Sequence, residues 1–315
     1  MVSFSFLSLA TISLAVSAFA SKDFTIRQIG AANTLEYEIY FEKNGEIISP
    51  FHDIPLFAND EKTLYNMIVE IPKWTNAKNE INKETALNPI KQDVSDGKPR
   101  FVPNVFPFKG YMWNYGAFPQ TWEDPNFVSE YTQRKGDNDP IDILEIGDKV
   151  AKVGDVKAVK ILGVIGLLDQ DETDWKVVVI DSTDPLADKM NDIEDVEKYM
   201  PGLLSSTDTF LRTYKLPSGK AENTIAFDGK AQNKAFATDI VLETHEHWKA
   251  LINGTSDRKD IQTSNLSVKD SPYKIGSNNN TVSRIPEENA LPPAAIDPSS
   301  DKWHYVSVSN PASEE

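Results

Sequence analysis

The chain has 315 residues, enough for one large domain or two ordinary ones with a proper core, and 40% hydrophobic with 25% charged residues suits a soluble globular fold. A formal charge of −16 argues against nucleic acid and anionic lipid as partners. The absence of cysteine excludes disulfides, thiolate metal sites and thiol catalysis, and is silent about compartment.

The first twenty residues, "MVSFSFLSLATISLAVSAFA", carry no charged side chain and end in Ala18-Phe19-Ala20. This pattern predicts a secretory signal peptide over 1–20, cleaved before Ser21. The run is barely long enough to span a bilayer, and it lacks the arginines of a mitochondrial leader. N-glycosylation sequons at Asn253, Asn265 and Asn279 cluster in a polar region, which accords with secretion.

From Phe24 to Ile71 the pattern is strand-like. Leu35, Tyr37, Ile39 and Phe41 alternate with polar residues, "EKNG" (42–45) supplies a turn, and "YNMIVEIPKW" (65–74) reads as a strand closed by Pro72. Residues 100–125 read as strands joined by irregular loops. The runs at 157–169 and 175–181 are apolar and rich in β-formers. Helices come later: one after a cap at Asp192 and ending before Pro201, a second over "GLLSSTDTFLRTYK". The third, "NKAFATDIVLETHEHWKALIN", places Phe236, Ile240, Val241, Thr244, Trp248, Leu251 and Ile252 on one face. Strands followed by helices predict an α+β fold. Residues 21–253 form the expected body. Residues 254–315 form an expected arm, poorly packed from Gly254 to Ser300, whose alternating "KWHYVSV" (302–308) docks back.

The chemistry concentrates in acids. "GDNDPIDILEIGD" (136–148) holds Asp137, Asp139, Asp142, Glu145 and Asp148 on a segment stiffened by Pro140 and anchored by Ile141, Ile143, Leu144 and Ile146. Like charges this close repel unless something positive sits among them. Pinned carboxylates of this kind suit hard cations. The segment is not an EF-hand, since positions 5 and 6 from Asp137 are Ile141 and Asp142, and the polar "YTQRKG" before it argues against a strand-end phosphatase aspartate. The chain has no P-loop and no H-E-x-x-H; His245 and His247 read as surface or core-edge residues. A second acidic cluster holds Asp169, Asp171, Glu172 and Asp174 beside Lys176. Glu70, Lys78, Glu80, Arg100, Tyr111, Tyr115, Tyr214 and Lys215 lie in mixed-sign or aromatic segments. Carboxylates for a metal beside Lys, Arg and Tyr for phosphoryl oxygens are what metal-assisted phosphoryl transfer needs. A non-catalytic OB-like module, a calcium-binding protein and an inactive relative are the competing readings.

At Asp137-Asn138-Asp139-Pro140-Ile141-Asp142 the sequence resembles the soluble family I inorganic pyrophosphatases of fungal and animal type, whose signature is D-x-D-P-x-D. "RQIGAANTLEY", "FHDIPL", "EIPKWTNAK", "NYGAFPQTWEDP", "DETDWK" and "NDIEDVEKYMPGLL" are similar too, in the expected order, so the likeness runs from about Thr25 to Ile252. The resemblance implies magnesium-dependent hydrolysis of diphosphate to two phosphates by a metal-activated water, with several Mg2+ per site and Mn2+ or Zn2+ as substitutes. It implies Asp137, Asp142 and Asp174 as main metal ligands, Asp142 bridging two ions, with Glu80 and Asp169 for ions that arrive with substrate. Asp139 is implied as the base. Lys78, Arg100, Tyr115, Tyr214 and Lys215 are implied as phosphate grips, and Glu70, Tyr111 and Lys176 as support. Glu145 and Asp148 fall outside the signature and read as structural or solvated. The implied fold is a distorted five-stranded OB-like β-barrel with flanking helices, and the implied assembly is a homodimer. The family's usual location is cytoplasmic, against the secretory leader; no nucleic acid partner is expected, and no membrane once the leader is cleaved.

Overall fold

The structure, a computed structural model, describes residues 23–307. The expected leader and Val308 of the expected docking segment lie outside the described residues.

The strands are β1 (Phe24–Ala31), β2 (Glu38–Lys43), β3 (Glu46–Ile48), β4 (Tyr65–Ile71), β5 (Asn79–Ile81), β6 (Ile90–Gln92), β7 (Val94–Ser95), β8 (Lys98–Pro99) and β9 (Asn104–Val105). They continue as β10 (Asn114–Ala117), β11 (Lys135–Gly136), β12 (Asp142–Glu145), β13 (Val156–Asp169) and β14 (Glu172–Asp181). The last are β15 (Thr224–Ile225), β16 (Gln232–Asn233), β17 (Asn289–Leu291) and β18 (Trp303–His304). The helices are α1 (Ile193–Tyr199), α2 (Leu203–Thr213), the single turn α3 (Ala226–Gly229), α4 (Lys234–Ile252) and α5 (Asn280–Ser283).

The α+β reading holds, but the five-stranded OB-like barrel is corrected. The main sheet has eight strands in the order β11-β14-β12-β10-β4-β13-β15, with β16 added on β13 and a long antiparallel ladder between β13 and β14. It is a curved sheet and not a closed five-stranded barrel. A second sheet runs β17-β1-β2-β6-β5, with β3 on β2. The two-residue strands β11, β15 and β16 have no periodicity to read; they form because neighbouring long strands offer them backbone partners. β13 and β14 are buried on both faces, which explains their nearly continuous apolar runs.

The helices match the pattern. Asp192 caps α1 in a capping box with Asp195, and Asn233 caps α4 by accepting from the Phe236 N–H at 3.0 Å. Ala237, Ile240 and Val241 of α4 pack with Val159, Ile161 and Val164 of β13, while Trp248, Leu251 and Ile252 join Ile39 and Phe41 of β2. Each Ile, Leu or Val side chain among them contributes roughly 1.5–3 kcal/mol by leaving water, and the Ala237 methyl about 0.8. His245, expected at a surface or core edge, is buried on this face and bonds the Gln120 carbonyl at 2.6 Å.

The arm packs better than its composition predicts between residues 261 and 271. Ile261, Thr263 and Asn265 are fully buried. The cause lies far away in sequence: Asp53 Oδ1 accepts the N–H groups of Leu266 and Ser267, at 2.9 and 2.7 Å. Further on, β18 pairs in parallel with β9, Trp303 opposite Asn104 and His304 opposite Val105. Among the described residues no helix is long and apolar enough to cross a membrane.

Candidate active site

The "GDNDP" loop is built by backbone contacts with Glu123. Asn138 N–H donates to the Glu123 carbonyl at 3.0 Å, and Glu123 N–H donates to the Asp139 carbonyl at 2.9 Å. Asn138 takes a left-handed φ of 72°, a region asparagine tolerates, and its side chain accepts from the Trp122 indole at 3.0 Å. At Gly136 an added Cβ would collide with the Glu123 backbone carbon and oxygen, so only glycine lets the two segments approach. Asp139 N–H donates to Asp137 Oδ1 at 2.9 Å, completing the turn.

The strands supply the other groups. Asp142 opens β12 and stands opposite Lys176 of β14. Asp174 and Lys176 are two apart, hence on the same face of β14, while Trp175 and Val177 point into a core on the other side. Asp169 and Glu172 face each other at the tip of the β13–β14 hairpin. Tyr115 comes from β10. Tyr214 and Lys215 follow α2, with the Tyr214 ring stacked on Phe210.

These segments meet around a cavity of about 340 Å³. Its walls bring together Lys78, Glu80, Arg100, Tyr111, Tyr115, Asp137, Asp139, Asp142, Asp169, Asp174, Lys176, Tyr214 and Lys215, so every site residue expected from sequence except Glu70 lines it. Glu70 lies behind the wall, buried, accepting the Ile81 N–H at 2.7 Å and thereby tying β4 to β5. Burial pushes its carboxyl up to about 8, with Lys78 opposing. Asp93, Gln170 and Glu172 also line the cavity. Asp93 pairs with Arg100 at 2.7 Å, a contact no spacing in the sequence signals. Glu145 is not solvated: it is fully buried and accepts from Gly147 N–H and Asn114 Nδ2, each at 2.7 Å. Asp148 is exposed.

Eight carboxylates and four cationic side chains line the space. Lys176 bonds both Asp142 and Asp174, Lys215 bonds Asp169, and Lys78 pairs with Glu80 at 3.0 Å. Tyr115 Oη donates to Asp142 Oδ2 at 2.5 Å. Burial alone would raise Asp142, but Lys176 and Lys78 outweigh it and hold the carboxyl below its ordinary value. Asp174 goes the other way: burial pushes it up to about 7 despite Lys176. Burial and the neighbouring charges of Asp139, Asp174 and Asp142 push Asp137 well up. An excess of acids this buried calls for more positive charge than the lysines supply.

Glu123 is a candidate metal ligand that sequence reasoning misses, because "WEDP" has no diagnostic spacing. Oxygens of Glu123, Asp137 and Asp174 lie within 4.8 Å of one another, close enough to share a divalent cation. Glu123 Oε2 and Asp169 Oδ1 are buried without a hydrogen-bond partner among the described residues, as expected of groups that bind a cation. A larger groove of about 650 Å³ beside α1 and α2 is lined by Glu194, Glu197 and Asp208 with one lysine, Lys230, and offers an anion little.

Comparison with known proteins decides the family. A family profile described as inorganic pyrophosphatase matches residues 67–249. The chain belongs to the inorganic pyrophosphatase family.

Two fungal members, both inorganic pyrophosphatases, show how near the likeness is. The Emericella nidulans protein is 57% identical over 284 residues, covering 90% of this chain and 98% of that one. The Candida albicans protein is 56% identical over 285 residues, again 90% and 98%. In structure, the inorganic pyrophosphatase of Schistosoma japonicum is similar with a TM-score of 0.83 at 47% identity, covering 90% of this chain and all of that one. As a soluble family I pyrophosphatase of fungal and animal type, this chain is a hydrolase that converts diphosphate to phosphate with magnesium.

Proposed function

We propose that the cavity beside β14 is where diphosphate is hydrolysed, with the acids on one side holding Mg2+ and the cationic and phenolic groups holding the phosphoryl oxygens. The observation that carries this reading is the cavity lining itself, in which oxygen donors for a hard cation and donors for an anion share one space. Asp137, Asp142 and Asp174 are assigned as principal metal ligands, Glu80 and Asp169 as further ones, and Glu123 joins them on its geometry. When bound, magnesium supplies Lewis acidity and a water of lowered pKa.

The chain's own residues do the rest. Asp139 accepts the proton of the attacking water. Lys78, Arg100, Tyr115, Tyr214 and Lys215 orient the substrate and stabilise charge on the departing phosphate. Lys176 and Tyr115 hold Asp142 ionised and oriented, and Tyr111 packs its ring 4.7 Å from that of Tyr115. Phosphate release from diphosphate with Mg2+ tests the reading; a purified chain that releases none in the presence of Mg2+ overturns it.

The assembly is proposed to be a homodimer. Phe106, Trp303 and Tyr305 are exposed and cluster ring against ring, at 6.0 and 5.6 Å from Phe106, a patch a second copy would cover. Sedimentation measures the mass directly, and a monomer at micromolar concentration refutes it. The leader further supports entry into the secretory pathway. Asn253 and Asn279 are exposed and open to glycan. Asn265 is fully buried, with Nδ2 donating to the Thr263 carbonyl and Ser271 Oγ, each at 3.0 Å, and takes none. A mature N-terminus at Ser21 supports this routing, whereas Met1 or Val2 refutes it.

A further inference from the structure

Most acids of the cavity are paired with a cation that also lines it. Asp139 is different. Lys83 Nζ lies 2.5 Å from Asp139 Oδ1, and Lys83 is not part of the cavity lining, so it reaches the carboxylate from outside the wall.

We infer that Lys83 is a positioning residue for Asp139, holding its carboxylate in the orientation that hydrolysis needs. The Asp139 backbone is fixed by its bonds to Asp137 and Glu123, yet its side chain is 42% exposed. An exposed carboxylate with a fixed backbone still rotates about χ1 and χ2; an ion pair at one oxygen removes that freedom. Lys83 is itself held from behind. Its carbonyl accepts the Gln262 N–H at 2.7 Å and Asn88 Nδ2 at 3.3 Å, and the Gln262 carbonyl accepts Asn88 Nδ2 at 3.1 Å. The arm thus braces the loop that carries Lys83.

A plain surface ion pair is the competing account, and the two differ in what they affect. A pair this exposed adds only about 0–1 kcal/mol to stability. Misplacing a reacting group by about 1 Å costs roughly 100-fold in rate. Lys83 therefore acts on turnover and hardly on folding.

This role of Lys83 rests on the reading of Asp139 as the base, and the experiment separates the two. In the full-length enzyme with Mg2+, Lys83→Ala is expected to lower kcat by about 10-fold or more while KM for diphosphate moves less than about 3-fold. Lys83→Arg, which keeps the charge, restores most of kcat. In an Asp139→Asn background, Lys83→Ala costs nothing further, because the group it orients is gone. The urea unfolding midpoint stays at the wild-type value; if Lys83→Ala does not fold, Lys83→Met keeps the stem and serves instead. Wild-type kcat in Lys83→Ala, or losses that multiply in the double variant, overturn the role of Lys83. Full turnover in Asp139→Asn alone overturns the base assignment, and an inactive wild type overturns the functional reading itself.

Discussion

The Trp248 indole N–H donates to His52 Nδ1 at 3.0 Å, which leaves Nε2 as the protonated nitrogen, donating to the Gln262 carbonyl at 2.9 Å. A single buried imidazole thus joins the helix α4 to the arm, and both ring nitrogens are committed in the neutral form. Burial lowers its pKa from 6.5 to about 4, with the Gln262 carbonyl and Asp53 opposing.

Stability should therefore fall with acid in a defined window. The unfolded chain takes a proton on His52 below about pH 6.5 and the folded chain only below about 4. Stability is full above pH 6.5 and drops as pH falls toward 4, by on the order of 3 kcal/mol. Urea unfolding as a function of pH measures this. His52→Gln should flatten that slope, and an unchanged slope in the variant would assign it to other groups.

Asp139 and Asp142 should separate in their effects. Asp139→Asn is expected to lose roughly 100- to 10,000-fold in kcat with Mg2+ binding largely kept. Asp142→Ala should damage both, and it also strands Lys176 without one of its two carboxylates. Isothermal titration with Mg2+, alongside turnover, distinguishes them; unchanged magnesium affinity in Asp142→Ala removes it from the ligands.

Gly136 should tolerate no side chain. A methyl group there would overlap the Glu123 backbone, so Gly136→Ala pushes apart the two segments that bring Glu123 to Asp137. The expected cost is on the order of 3 kcal/mol, with weakened metal binding. Gly276→Ala is the control: none of the described residues lies within 4 Å of the position its methyl group would take, and a change within about 0.5 kcal/mol is expected. Equal unfolding midpoints for the two variants would refute the close approach.

Glu145 belongs to the same acidic run and should behave unlike its neighbours. It accepts from Gly147, Asp181 and Asn114 and lines no part of the cavity. Glu145→Ala leaves those buried donors unpaired and should cost about 3 kcal/mol or more, while magnesium affinity measured on the folded variant stays unchanged. A loss of metal affinity without a loss of stability would reverse the assignment.

How far the sequence reaches differs residue by residue. Asp137, Asp139 and Asp142 are legible because one rigid six-residue motif carries all three. The helix α4 is legible because its apolar face repeats at the helical period. Glu123, Asp93 and Lys83 are not: each is brought to the site by tertiary contacts, and none lies in a motif that marks it. The packed part of the arm escapes composition for the same reason, since its polar groups are satisfied by His52 and Asp53, some two hundred residues earlier.

By itself, then, the sequence determined the family likeness, the α+β character and the candidate residues that line the cavity, because those reside in residue types, short motifs and local periodicity. Only the tertiary structure decided that the strands form an eight-stranded curved sheet in place of a five-stranded barrel. It also decided that Glu123 stands with Asp137 and Asp174, and that Lys83 backs Asp139. Those outcomes depend on which backbone donors and acceptors find one another across the fold, and single short strands and lone charged residues carry no local signal of that pairing.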